Sequence, residues 1–235
     1  MPKLPYAFLI IAALACHTVD AAETSRPAVI ELYTSQGCSS CPPADTLLGE
    51  LARNPNVLAL AFHVDYWNDL GWTDPYALPD AVMRQSAYSK ARGQSSVYTP
   101  QVVVDGHDEY LGSDRTNIER AAAEVRTGVP VALDIADRNL VIALGGAQCL
   151  APSDVLAITF LRKAVSKIGR GENSGRTLEE FNIVRSVRKI GKWNGHAVTF
   201  RVPLSDIPRD PTNFAVLVQL PGQAQIIGAA TRALP

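Results

Sequence analysis

Two cysteines held apart by two serines, Gly37-Cys38-Ser39-Ser40-Cys41-Pro42, are the residues of this 235-residue chain best suited to chemistry. Two intervening residues bring both sulfurs into one helical turn, within disulfide reach. Where a helix opens at such a pair, its unsatisfied N–H groups and dipole favour a thiolate at Cys38 and leave Cys41 one turn deeper. Cys38 is then the exposed attacking thiol and Cys41 the resolving one. Two other chemistries use the same pair, a fixed structural disulfide and metal binding. Zinc needs a second ligand pair, and Cys149, His63, His107 and His196 lack C-x-x-C or H-x-x-H spacing. Copper(I) suits soft thiolates and wants a third ligand, for which His63 is the candidate. No metal is assigned, and the pair itself, as a redox-active disulfide, stands in place of a cofactor.

Other residues admit two readings each. Trp67, Trp72 and Tyr76 offer an apolar contact surface to a client, or pack their own segment onto the fold. His63 and Asp65, at a strand end, either tune the thiols or form a satisfied structural pair. Arg170, Glu172 and Arg176 lie in a Gly-rich loop and either grip an anion or hold that loop. Cys149 is the odd thiol, to be buried and inert, paired between chains, or a third redox partner.

Positioning these residues requires strands and helices. Ala28 to Thr34 is a short β-branched run, followed by Ser35-Gln36-Gly37 and a helical pattern from Pro42 to Arg53. After the Asn54-Pro55-Asn56 break, Val57 to Val64 is almost wholly apolar, as in a strand covered on both faces. This βαβ order predicts a parallel sheet. An aromatic insert leads to a helix over Asp80 to Arg92, then a hairpin from Gln101 to Leu111 turning at Asp105-Gly106. Asn117 to Arg126 reads as a last helix, with Asp114 or Thr116 as its cap. From Val129 onward the pattern alternates: Val131 to Ile135, Leu140 to Leu144, Val155 to Leu161, Phe181 to Ile190, Ala197 to Val202 and Phe214 to Leu220. An antiparallel β-sandwich or partial barrel is expected there.

Residues 1–22 read as an export signal: Lys3, an apolar run from Tyr6 to Ala15, and small residues at Val19, Ala21 and Ala22. The alternative is a lipid anchor at Cys16 after Ala13-Leu14-Ala15. Export places the chain in a periplasmic or extracellular, oxidising compartment. Lys plus Arg number 22 against 23 for Asp plus Glu, with no basic block, so nucleic acid is an unsuitable partner. No stretch reaches the roughly 18 apolar residues of a membrane-spanning helix.

The strand, Cys38-x-x-Cys41 opening a helix, the apolar strand to Val64, and Thr99-Pro100 before the strand at Gln101 together resemble the thioredoxin fold. Tyr33 to Asp45, Tyr66-Trp67 to Trp72, and Arg170-Gly171-Glu172-Asn173 are similar to a bacterial family of secreted thioredoxin-like proteins of unknown function. The resemblance implies a thioredoxin-like βαβ…ββα domain over residues 27–128 with a helical insert at 66–96, followed by a β-rich domain over 129–235. It implies a cis Thr99-Pro100 bond facing the sulfurs, with Thr99 docking an extended client. Glu31 would take the place of a buried carboxylate aiding proton transfer, although it stands one position too far from Cys38 and an alternating strand equally turns it to solvent. The function expected is thiol-disulfide exchange with protein thiols or disulfides; the rival is a binding module with a structural disulfide or copper(I) site.

Overall fold

The computed structural model describes residues 24–147, 151–208 and 210–235. In chain order the elements are β1 (Thr24–Arg26), β2 (Ala28–Thr34), α1 (Pro42–Leu51), β3 (Val57–His63), α2 (Pro79–Ala91), β4 (Gln101–Val104), β5 (Asp108–Leu111) and α3 (Arg115–Ala123). There follow β6 (Arg126–Gly128), β7 (Val131–Ala136), β8 (Asn139–Leu144), β9 (Ser153–Lys167), β10 (Thr177–Trp193), β11 (Val198–Pro203), β12 (Asn213–Gln219) and β13 (Ile226–Ala233). The expected export signal, Cys16 and Cys149 lie outside the described residues.

Eight strands form one mixed sheet in the order β13-β12-β9-β10-β3-β2-β4-β5, while β11-β8-β7 make a second sheet and β1 pairs with β6. This overturns the expected fold class. A thioredoxin-like βαβ…ββα domain with a helical insert, joined to an antiparallel β-sandwich-like domain, is not what forms. The described chain is mostly strand with three α-helices, and its principal sheet takes strands from both sides of residue 128. The reason lies at β3, which is buried along its whole length and takes a neighbour on each edge. One neighbour is β2, in parallel register from Ala28↔Val57 to Thr34↔His63. The other is β10, parallel at Ile183↔Ala61, where Asn182 adopts a positive φ of 49° and its Nδ2 donates to the Ala59 carbonyl at 2.8 Å.

Both faces of this sheet are covered. On one, Ile30, Leu32, Ala59, Ala61 and Val102 meet Leu47 and Leu48 of α1 and Ile118 of α3. On the other, Val29, Tyr33, Leu60 and Phe62 pack with Tyr88 of α2 and with Ile158, Val184 and Leu217 of the later strands. The three-stranded sheet closes a third cluster, in which Leu140, Ile142, Trp193, Phe214 and Val216 are buried. Each such side chain contributes roughly 1.5–3 kcal/mol of burial. Gly49 permits α1 to lie against β10, because a Cβ there would stand 2.4 Å from the Phe181 ring.

The helices begin where their local chemistry directs. Pro42 and Pro43 open α1 without needing the N–H groups that a first turn leaves unpaired. Asp114 caps α3 by accepting from the Asn117 N–H. That helix ends at Ala123, and Arg126, expected as its last residue, instead opens β6, held to β1 from Thr24↔Gly128 to Arg26↔Arg126. Among the described residues no helix is long and apolar enough to cross a membrane.

Candidate functional site

Beyond Thr34, the end of β2, the chain turns through Ser35 to Cys41. The Cys38 N–H donates to the Ser35 carbonyl at 3.2 Å, the Gly37 N–H to Ser35 Oγ at 3.1 Å, and the Cys41 N–H to the Cys38 carbonyl at 3.3 Å. These turns bring the Cys38 and Cys41 Cα atoms to 5.4 Å, and the two sulfurs are joined as a disulfide. Cys41 is the N-cap of α1, so Cys38 lies three residues upstream of the cap and not in the first helical turn as the spacing suggested. Cys38 is also not the exposed member of the pair: both cysteines are 0% exposed, and only Ser39 and Ser40 of the loop reach solvent.

A buried polar cluster floors this loop. Asp74 Oδ2 accepts from the Gln36 N–H at 2.8 Å and stands 2.8 Å from His63 Nδ1. Gln36 Nε2 donates to Glu180 of β10, at 2.9 Å to Oε2, and to Ser166 Oγ of β9 at 2.9 Å. Thr34 Oγ1 donates to Asp45 Oδ1 of α1 at 2.7 Å. Burial opposes charge on His63, but Asp74, Glu180 and Asp45 together raise its imidazole to about 9. Burial pushes the Asp45 carboxyl up to about 7 against the pull of His63 and Thr34. Burial likewise raises Glu180; it also works on Asp74, whose carboxyl is nevertheless held low by His63 and by the Gln36 and Tyr76 N–H groups. His63 Nε2 stands 3.8 Å from Glu180 Oε1 and makes no hydrogen bond with the described residues.

The β9–β10 hairpin supplies the roof. Asn173, itself 0% exposed, donates through Nδ2 to the carbonyls of both Gln36 and Cys38 at 2.9 Å. Glu172 Oε2 accepts from the Ser39 N–H at 3.1 Å. Trp72 donates through Nε1 to Gln36 Oε1 at 2.8 Å, and its ring lies against Gly169. Within the Gly-rich loop Arg176 holds Asn173, as one of the two readings had it, whereas Glu172 reaches outside it to the loop bearing the disulfide.

The flank gathers the other expected residues. Trp67 Nε1 donates to Thr99 Oγ1 at 2.9 Å, and Trp67 lies so close over Gly37 that a Cβ there would stand 2.9 Å from its own. The Thr99-Pro100 bond is cis. Pro100 is buried, and its ring shares with Ala44 of α1 the space that a Cβ on Gly112 would occupy, at 2.5 and 2.9 Å. Pro100 is thus placed beside the first turn of the helix that Cys41 caps. Glu31 is not brought there. It shares a strand face with Val29 and Tyr33, opposite the face that α1 covers, and is buried in an ion pair with Arg84 at 2.6 Å.

Gln36, Asp74, Asn173, Glu180, Asp45 and Arg84 escaped the sequence reading as site or core residues. Gln36 and Asp45 fall in the Tyr33 to Asp45 stretch and Asn173 in the Arg170 to Asn173 segment that carry the resemblance, whereas Asp74, Glu180 and Arg84 carried no signal. His63, proposed as a third copper ligand, commits its Nδ1 to Asp74, and among the described residues no group of three or more His, Cys, Asp or Glu is arranged to hold a metal.

The arrangement defines a mixed-sheet protein with a roofed C-x-x-C disulfide between a strand end and a helix cap. The chain belongs to a family described as protein of unknown function (DUF1223), which matches residues 29–219. A structural-genomics crystal structure of a protein from Agrobacterium tumefaciens is 32% identical and superposes with a TM-score of 0.77, covering 89% of this chain and 95% of that one. HBP35 of Porphyromonas gingivalis is 12% identical with a TM-score of 0.59, covering 89% of this chain and 76% of its own; that likeness is one of fold. None of the curated proteins matches this chain.

Proposed function

We propose that this protein exchanges disulfides with protein clients through Cys38 and Cys41 in an oxidising compartment outside the cytoplasm. The observation that carries this reading is the disulfide itself, closed over two residues at the cap of α1, with Pro100 beside Ala44 in the first turn of that helix. A client thiolate attacks Cys38 Sγ, forming a mixed disulfide while the Cys38–Cys41 bond breaks and its electron pair leaves on Cys41. A second client thiolate then attacks the client's own sulfur in that mixed disulfide and releases Cys38. The client dithiol is oxidised, the pair is reduced, and the two thiolates take up two protons. Run backwards, the same steps reduce a client disulfide. Lys3 and the apolar run to Ala15 support export.

The tryptophans enter this reading as supports, because both indole N–H groups are already bonded inside the protein. A second reading, a fixed structural disulfide, is favoured by the complete burial of both cysteines. Equilibration of the pair in thiol buffers separates the two. An exchange couple reads above about −300 mV, and a structural disulfide below it. Turnover of a disulfide-bonded client that vanishes in Cys38→Ser is expected with the former and not with the latter.

A further inference from the structure

We propose that the tip of the β9–β10 hairpin, residues 168–176, is a latch over the disulfide loop, with Asn173 the positioning residue that fastens it. The exchange reading gives the latch its purpose: an attacking thiolate reaches Cys38 only when the tip lifts.

Three hydrogen bonds tie the tip to consecutive parts of the loop. Asn173 Nδ2 spans the Gln36 and Cys38 carbonyls, and Glu172 takes the next free N–H, that of Ser39. These contacts join positions more than 130 residues apart and lie along the edge of the loop that carries the sulfur expected to be attacked. Both sulfur-bearing residues are closed to solvent, although the two serines between them are open. A loop whose middle is exposed and whose ends are fully covered has its cover at the ends, and Asn173 sits at the Cys38 end.

The tip is also constructed to move as a unit. Its neck is closed by the Ile168 N–H donating to the Arg176 carbonyl at 2.9 Å and the Gly175 N–H donating to the Ile168 carbonyl at 2.8 Å. Within it, Arg176 Nη1 donates to Asn173 Oδ1 at 3.0 Å, orienting the amide so that Nδ2 faces the loop. Gly171 and Gly175 turn the backbone at φ of 75° and 81°, where other residues are strained. Lifting the tip therefore breaks the three bonds to the disulfide loop and parts Gly169 and Gly171 from Trp72, while its internal bonds persist. Opening of this kind, at a cost below that of global unfolding, is how covered groups react in native proteins.

The test compares the rate at which dithiothreitol reduces the Cys38–Cys41 bond in the full-length protein, becoming a cyclic disulfide as the pair becomes two thiols, with the equilibrium constant of that exchange. Asn173→Asp keeps the size of the side chain and its acceptor for Arg176 but replaces the donor with a second acceptor facing two carbonyls. It is expected to speed reduction by about tenfold or more, the scale of two lost hydrogen bonds. Glu172→Ala, at the exposed tip, is expected to speed it by a few fold and serves where the first variant fails to fold. The equilibrium constant should stay unchanged in both. Unchanged rates overturn the latch, and so does an acceleration matched by an equal change in the equilibrium constant, since Asn173 would then stabilise the disulfide and not its cover. Accelerated variants of a pair poised below about −300 mV leave the latch standing and remove the exchange reading; unchanged variants of a pair poised above it do the reverse.

Discussion

Two buried polar clusters lie on this sheet, and they are built on opposite plans. Around Arg84 the charges are paired off: Glu31 accepts from Arg84 at 2.6 Å and from Tyr88 Oη at 2.6 Å, Gln219 Oε1 accepts from Arg84, and Gln219 Nε2 donates to Tyr88. Around His63 three carboxyl groups, Asp45, Asp74 and Glu180, surround one imidazole whose Nε2 lacks a hydrogen bond to the described residues. The first cluster cannot titrate on its cationic side, because a guanidinium keeps its charge. The second exchanges protons near neutrality, and it is the one under the disulfide. A closed ion pair secures shape across pH, whereas a crowded acid cluster makes its surroundings respond to pH.

The largest effect should come from opening the closed cluster. Arg84→Met leaves Glu31 buried and unpaired and should cost about 3–5 kcal/mol in urea unfolding. Adding Glu31→Gln should restore part of that loss. A cost below about 1 kcal/mol would show that Glu31 is not the dependent partner the geometry makes it.

Next in size is the pH response of the open cluster. His63, raised from 6.5 to about 9, binds its proton more tightly in the folded chain. Its contribution is therefore complete below about 6.5 and lost as pH rises through about 9, a change on the order of 3 kcal/mol. Asp45, raised from 3.8 to about 7, acts with the same sign in a lower window: its contribution is present below 3.8 and lost as pH rises through about 7. Stability should fall from pH 5 to pH 9. Asp45→Asn should flatten the lower part of that fall and His63→Gln the upper part. Urea midpoints that stay level across the range in the parent protein would erase the distinction between the clusters.

The smallest effect is Thr34→Val, which removes the 2.7 Å donor to Asp45 and should cost about 1 kcal/mol. Because that donor lowers Asp45, its loss should also move the carboxyl further up, seen as a shift of its titration by NMR.

Much of the local structure was legible. The apolar run Ala28 to Thr34 is β2, the proline pair after Cys41 opens α1, and alternation past Val129 marks β7, β8, β11 and β12 to within a residue, whereas β9 runs six residues beyond Leu161 and β10 starts four before Phe181. These signals are carried by neighbours in the chain. What joins the two halves is not: β3 is apolar on both faces and shows that it will be covered, but nothing in Val57–His63 names β10 as its edge partner. The strand β13 was missed because Ile226–Ala233 mixes Gly, Ala, Thr and Arg with only two large apolar residues. Gln36, Asn173 and Glu180 have the composition of solvent-facing residues and become a site only through contacts more than a hundred residues distant, and Asp74 joins them through Gln36, 38 positions away. Glu31 reads in the sequence as a proton-transfer group or a solvent-facing one; its partner Arg84, 53 positions away, gives it another task.

The junction of β3 with β10 has a consequence in time. During synthesis, β2 and β3 are complete well before β10 exists, and six strands and two helices separate the two sides of the junction. Until β10 arrives, β3 offers an apolar ribbon with one row of open N–H and C=O groups, the kind of edge that invites a second chain to pair. Gln36 meets Glu180 and Asn173 on the same late schedule. A nascent chain whose cysteines pair early would thus carry its disulfide on an unfinished sheet, and only the later β9–β10 hairpin would bring it under cover.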